Sequence, residues 1–191
     1  AVVLELHSPA LESAFDMPLL HLQADELVLP LVRGWGIADL VIVSPDAGGL
    51  KRAQRYASAL RAGLAVVAKT RPGADAAVAL QILGDVRDRI CLIADDMAST
   101  GRTLVAAAES LARAGAKEIH FRVSAPPLIS PCFFGIDMPK REEFIANQKT
   151  IEQIRKHLKV ESLGYLSVEG MVSMPSLPDE DFCVGCFTAR Y

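Results

Sequence analysis

The sequence predicts an α/β fold built on a parallel, doubly wound sheet, and three observations carry that reading. Short β-rich runs recur at Val2–Leu6, Leu40–Val43, Leu64–Ala68, Ile90–Ala94 and Ile119–Val123. Several are continuously apolar rather than alternating, as expected of strands covered on both faces. Helical patterns lie between some of them, so crossover helices would join parallel neighbours. In such a sheet a site forms beyond the carboxyl ends of the strands. Asp46, Lys69 and the pair Asp95/Asp96 each follow such an end.

The elements follow in order. The chain opens Ala1-Val2-Val3-Leu4-Glu5-Leu6-His7, as the middle of a strand and with no initiator Met, so a piece of something longer is expected. Lys51–Leu60 places Ala53, Tyr56, Ala57 and Leu60 on one helical stripe. Thr103–Ala114 does the same with Leu104, Ala107, Ala108, Leu111 and Ala112, and Gly115 stops that helix as a C-terminal cap. From Pro126 the texture changes, with Pro126-Pro127, Pro131, Pro139, Pro175 and Pro178 breaking the pattern. Asp137-Met138-Pro139 reads as the entry to a helix over 140–147. Thr150-Ile151-Glu152-Gln153 fits a capping box for a helix to about Leu158, and Ser162–Met171 reads as a third helix. The organisation is therefore an α/β domain over 1–125 with a helical C-terminal tail, 126–191, packed on it.

Composition narrows the function. The 191 residues, 51% hydrophobic, suffice for one sizeable core. A net charge of −3 with 6% aromatics argues against nucleic acid as the main partner. No window approaches the run of about 20 apolar residues that a membrane span needs, and neither a signal peptide nor a polybasic block is visible. Four cysteines, Cys91, Cys132, Cys183 and Cys186, do not resemble a disulfide framework in a chain of this length. The cytoplasm is the expected location.

The richest stretch is Arg89–Leu104. An apolar strand ends in Asp95 and Asp96, and Ser99-Thr100-Gly101-Arg102-Thr103 leads into a helix. Such a turn can aim several N–H groups and hydroxyls at one anion, with the helix N-terminus adding partial positive charge. The acids suit sugar hydroxyls or Mg²⁺. A plain helix cap would need one acid, not two followed by four polar or small residues. Together they suggest a sugar-phosphate site.

The other motifs are weaker alone. Ser44-Pro45-Asp46-Ala47-Gly48-Gly49 ends a strand in an acid and a double glycine, but it also makes an ordinary turn. Lys69-Thr70-Arg71-Pro72 could close two cations over a transferring phosphoryl group, although exposed cations on a loop are usually just solvated. His7 has no partner at metal-ligand spacing. Cys183-Val184-Gly185-Cys186, with Cys132 upstream, has metal-ligand spacing but lacks a fourth ligand, since Cys91 falls in a buried strand.

Taken in order, these residues resemble a known family. Residues 1 to about 125 look like the C-terminal half of ribose-phosphate diphosphokinases (PRPP synthetases), which have the type I phosphoribosyltransferase fold. The matching stretches are Glu5-Leu6-His7 with Phe15-Asp16-Met17-Pro18, then Val41–Gly49, Lys69–Pro72, Ile82–Val86 and Asp95–Thr103. The resemblance implies His7 and Asp46 as Mg²⁺ ligands and Lys69 and Arg71 as the catalytic cations. It implies Asp95 and Asp96 on ribose hydroxyls or metal, with Ser99, Thr100, Gly101, Arg102 and Thr103 around the 5-phosphate. Arg102 stands where those enzymes usually carry a small residue, so it either adds a phosphate donor or crowds the cradle.

The tail is similar to another family. Ser124–Pro127 followed by Ser130–Asp137, then Ser162–Gly170 and Phe182–Thr188, look like the C-terminal region of amidophosphoribosyltransferases. That resemblance makes Cys132, Cys183 and Cys186 candidate ligands of an iron–sulfur cluster. Both resemblances imply an enzyme of PRPP chemistry in nucleotide biosynthesis, with ribose 5-phosphate, ATP or PRPP as partners, Mg²⁺ as cofactor and a homo-oligomeric assembly. The first expectation is Mg²⁺-dependent diphosphoryl transfer from ATP to ribose 5-phosphate. The alternatives are a phosphoribosyltransferase that consumes PRPP and a non-catalytic regulator that binds ribose phosphate.

Overall fold

A computed structural model describes residues 1–6, 12–13, 15–70, 79–133, 138–174, 178 and 181–191. A two-stranded parallel sheet, β1 (Val2–Leu4) with β2 (Leu20–Leu22), precedes helix α1 (Asp25–Arg33). The main sheet then takes β3 (Leu40–Ser44), β4 (Gly63–Thr70), β5 (Ala79–Leu83), β6 (Ile90–Asp95), β7 (Glu118–Val123) and β8 (Ser162–Tyr165), in the spatial order β5-β4-β3-β6-β7-β8. All neighbours are parallel except β4 and β5. Helices α2 (Leu50–Leu60) and α3 (Arg102–Arg113) are the crossovers after β3 and β6. From β3 the chain winds to β4, and from β6 it winds the other way to β7. The strand order therefore reverses between β3 and β6, which opens a crevice at their carboxyl ends.

Both faces of the sheet are covered, which is why β3 reads as an unbroken apolar run and is buried throughout. On one face Val41, Val43, Ile93, Phe121 and Val123 pack with Leu104, Ala107, Ala108 and Leu111 of α3 and with Ile154 and Leu158. On the other, Ile42, Leu92 and Ala94 meet Val28 and Val32 of α1 and Ala53, Tyr56 and Ala57 of α2. The predicted stripes of α2 and α3 thus point inward, except that Ala112 is exposed. Gly115 caps α3 at φ +88°, and the N–H groups of Gly115 and Ala116 return to the carbonyls of Ala112 and Leu111.

The tail departs from its helical expectation in two places. Ser162–Tyr165 is strand β8, not the start of a helix, and only Val168–Val172 is helical, as α6. β7 would otherwise present an open row of N–H and C=O groups, and β8 pairs with it from His120↔Ser162 to Val123↔Tyr165. Leu163 and Tyr165 pack against the α3-side core, so alternation suits this segment better than a helical stripe. The sheet therefore draws its last strand from the tail. The expected helix over 140–147 splits into a 3-10 turn, Arg141–Glu143, and a short α4, Ile145–Gln148. Between them Phe144 is extended and fully buried. Burying a Phe side chain is worth about 2–3 kcal/mol, against about 1 kcal/mol for the helical hydrogen bond lost at the break. Helix α5 (Ile151–Leu158) follows the prediction, with the Gln153 N–H donating to Thr150 Oγ1 and the Thr150 N–H to Gln153 Oε1. A last turn of helix, α7 (Gly185–Thr188), follows α6. Among the described residues no helix is long and apolar enough to cross a membrane.

Candidate functional site

Two strand ends meet at the crevice. At the end of β3, Ser44 is fully buried and its hydroxyl donates to the Asp46 carbonyl at 2.6 Å. Asp46 Oδ1 accepts the Gly49 N–H at 3.1 Å, closing the turn that starts α2. One turn into α2, Arg52 runs back beneath the crevice. Its guanidinium lies 3.2 Å from Asp95 Oδ1, 3.4 Å from Asp96 Oδ2 and 3.6 Å from Glu5 Oε2.

This ionic group is nearly closed to water, with side-chain exposures of 11% for Arg52, 9% for Asp96 and 8% for Glu5. Burial drives the Asp95 carboxyl up to about 7, the neighbouring Asp96 charge adds to the rise, and Arg52 opposes it. Burial pulls the Arg52 guanidinium down, but the charges of Asp96, Glu5 and Asp95 outweigh it and leave Arg52 more firmly protonated than usual. Asp95 Oδ1 also accepts the Asp96 N–H, and Asp96 Oδ1 the Met97 N–H, both at 3.1 Å. Glu5 Oε1 accepts the Ala24 N–H at 2.8 Å, which ties the start of α1 to the same group.

Beyond the acids the chain turns through Ser99, Thr100 and Gly101 into α3. Gly101 sits at φ +75°, where a side chain is strained, and a Cβ there would also stand 2.7 Å from Ile145 Cδ1. The first helical residue, Arg102, sends its side chain outward, 81% exposed, to within 3.7 Å of Glu143 Oε2. It therefore does not crowd the turn. The α3 N-terminus opens on a cavity of about 880 Å³.

That cavity brings together Asp46, Lys69, Asp95, Asp96, Ser99, Thr100, Gly101, Arg102 and Thr103, with Gly48, Gly49 and Arg52. Lys69 is not on a loop: it lies within β4, paired with Leu80 of β5, and is exposed. His7 and Arg71 lie outside the described residues. In the sequence Arg52 stands, with Lys51, just after the double glycine of the Asp46 motif, and nothing there links it to Asp95 and Asp96. The signal for it was chemical rather than periodic, since two adjacent acids at a buried strand end require a cation.

The thiols sit elsewhere. Cys91 is buried in β6, and burial pushes it up to about 12. Cys186 is pushed up to about 11, by burial first and then by the neighbouring thiols of Cys132 and Cys183. Those thiols are neighbours, yet among the described residues no group of three or more His, Cys, Asp or Glu side chains could hold a metal ion. The geometry gives the expected iron–sulfur cluster no support.

Comparison with known proteins bears on the family and the fold. The family profile "Phosphoribosyl transferase domain" matches residues 15–153. A ribose-phosphate pyrophosphokinase of Bacillus caldolyticus is 30% identical over 172 residues, covering 90% of this chain and 54% of the relative. The chain thus spans about half the length of the curated relatives it matches. Among solved structures, the phosphoribosylpyrophosphate synthetase of Mycobacterium smegmatis superposes with a TM-score of 0.58 at 31% identity, covering 64% of this chain and 40% of its own. The glutamine phosphoribosylpyrophosphate amidotransferase of B. subtilis, solved with ADP and GMP, gives 0.64 at 28%, covering 80% of this chain and 38% of its own.

Proposed function

Because the chain belongs to the phosphoribosyl transferase domain family, we propose that it serves the synthesis of PRPP, transferring the β,γ-diphosphoryl group of ATP to the 1-hydroxyl of ribose 5-phosphate. The observation that carries this reading is the meeting of the Asp95–Thr103 turn and Lys69 on one cavity. The turn and the N-terminus of α3 offer N–H groups and hydroxyls to the 5-phosphate. Asp95 and Asp96, braced by Arg52, accept hydrogen bonds from ribose hydroxyls. Across the cavity Lys69 neutralises charge that develops on the diphosphoryl group, with Arg71 assigned the same task. Catalysis is then positioning and charge stabilisation, with no covalent intermediate.

The carboxylates facing the cavity are hard oxygen donors of the kind Mg²⁺ takes. Among the described residues no cluster of three could hold the ion alone, so substrate phosphates and water would complete its shell. Asp46 and His7 would supply the protein ligands. When bound, the ion neutralises the triphosphate. Assembly into a homo-oligomer and a cytoplasmic location belong to the same reading. Exposed apolar side chains on β1, β2 and α1, namely Val2, Leu20, Leu27 and Leu31, support assembly.

A second reading, phosphoribosyl transfer that consumes PRPP, is favoured by the larger share of the chain that superposes on the amidotransferase, 80% against 64%. Incubation with ribose 5-phosphate, ATP and Mg²⁺, followed by mass spectrometry, separates the two. AMP release that depends on ribose 5-phosphate supports synthesis. Diphosphate release from PRPP and ammonia, without the first reaction, overturns it. In the synthetic reaction Lys69→Ala lowers turnover by about 10²–10³-fold, while affinity for ribose 5-phosphate stays within about twofold. Equal loss of both removes Lys69 from the chemistry.

A further inference from the structure

Helix α4 touches the phosphate turn from behind. Its first residue, Ile145, is 4% exposed and donates its N–H to the Ser99 carbonyl at 3.0 Å. That N–H has no acceptor within its own helix, so the turn satisfies it. The same contact fixes the turn. In a trans peptide the C=O and the following N–H point in opposite directions. Aiming the Ser99 carbonyl at Ile145 therefore aims the Thr100 N–H away from α4. Beside it, the Ile145 side chain fills the space that a Cβ on Gly101 would need.

α4 is itself held rigidly. Phe144 is fully buried, and the Asn147 amide donates to the Ile129 carbonyl at 2.9 Å and the Arg141 carbonyl at 2.7 Å. The tail is thereby part of the turn's support. We propose that Ile145 is a positioning residue for the phosphate end of the cavity, holding Ser99–Gly101 in the form that receives the 5-phosphate. This rests on the reading of that turn as the phosphate end of a ribose 5-phosphate site.

Calorimetry on the full chain with ribose 5-phosphate and, separately, ATP tests it. Ile145→Ala is expected to weaken ribose 5-phosphate binding about tenfold and leave ATP within about twofold, while Ile145→Val recovers most of the loss. Ribose 5-phosphate affinity unchanged in a folded Ile145→Ala chain overturns the proposal, and so does equal weakening of both ligands. Should that variant fail to fold, Asn147→Ala, which loosens α4 from outside the turn, is expected to show the same selectivity at about threefold, and no selectivity overturns the proposal. Amide hydrogen exchange over 99–103 supplies a readout that needs no ligand. Faster exchange in the variants supports the buttress, and unchanged exchange overturns it. A parent chain that binds no ribose 5-phosphate instead defeats the functional reading, while the exchange result still decides the role of Ile145.

Discussion

The turn after β3 satisfies its polar groups from within: Asp46 Oδ1 takes the Gly49 N–H, and the Ser44 hydroxyl bonds the Asp46 carbonyl. Its counterpart after β6 depends on distant elements. Asp95 and Asp96 are answered by Arg52 of α2, the Asp95 carbonyl by the Ser124 N–H, and the Ser99 carbonyl by Ile145 of the tail. The first turn is a local structure that any chain of this sequence could form. The second exists only when the domain is assembled, so its geometry is a property of the whole fold. A site that must hold two acids side by side needs that outside support.

The sharpest way to break this contrast is Arg52→Met. The methionine leaves Glu5, Asp95 and Asp96 without their shared cation in a nearly dry setting. Loss of one partner from a buried ion pair costs about 3–5 kcal/mol, and urea unfolding at neutral pH should show a loss of that size. Arg52→Lys keeps the charge but not the planar fork that reaches several carboxylates, and about half the loss is expected. A change below about 1 kcal/mol in Arg52→Met would mean that the second turn holds itself after all.

The pH dependence of stability sharpens the same point. Asp95 titrates at about 7 in the folded chain and near the ordinary carboxylate value when unfolded. Between about pH 4 and 7 the folded state holds the extra proton. Its contribution is therefore fully present below about pH 4 and is lost as pH rises through 7, with a slope of at most about 1.4 kcal/mol per pH unit. Asp95→Asn should flatten that slope when stability is measured across the range.

Much of the fold was legible because it rests on periodicity and local turn chemistry. The continuous runs of β3 and β6, the stripes of α2 and α3 and the Gly115 cap all follow from neighbours within a few residues. What escaped depends on partners far along the chain. β8 is a strand because β7 offers an open edge some 40 residues earlier. The helix expected over 140–147 breaks because Phe144 has a core to enter. Arg52 meets Asp95 across 43 residues, and no local pattern marks such a pair. The turn itself was visible in the sequence, whereas its supports were not.

The smallest expected effect belongs to the self-contained turn. In Asp46→Asn the amide oxygen can still accept the Gly49 N–H, so the turn should close as before and stability should change by less than about 0.5 kcal/mol. What the change removes is the negative charge, which matters only if Asp46 binds a cation. Titrating Mg²⁺ in the diphosphoryl-transfer assay reads this directly: about tenfold more Mg²⁺ should be needed for half-maximal rate in the variant. A loss of stability with unchanged Mg²⁺ dependence would give Asp46 a turn role alone. An unchanged fold with a shifted Mg²⁺ requirement would show that one of the two turns supports itself so that its acid can serve the ligand, while the other is held by its neighbours.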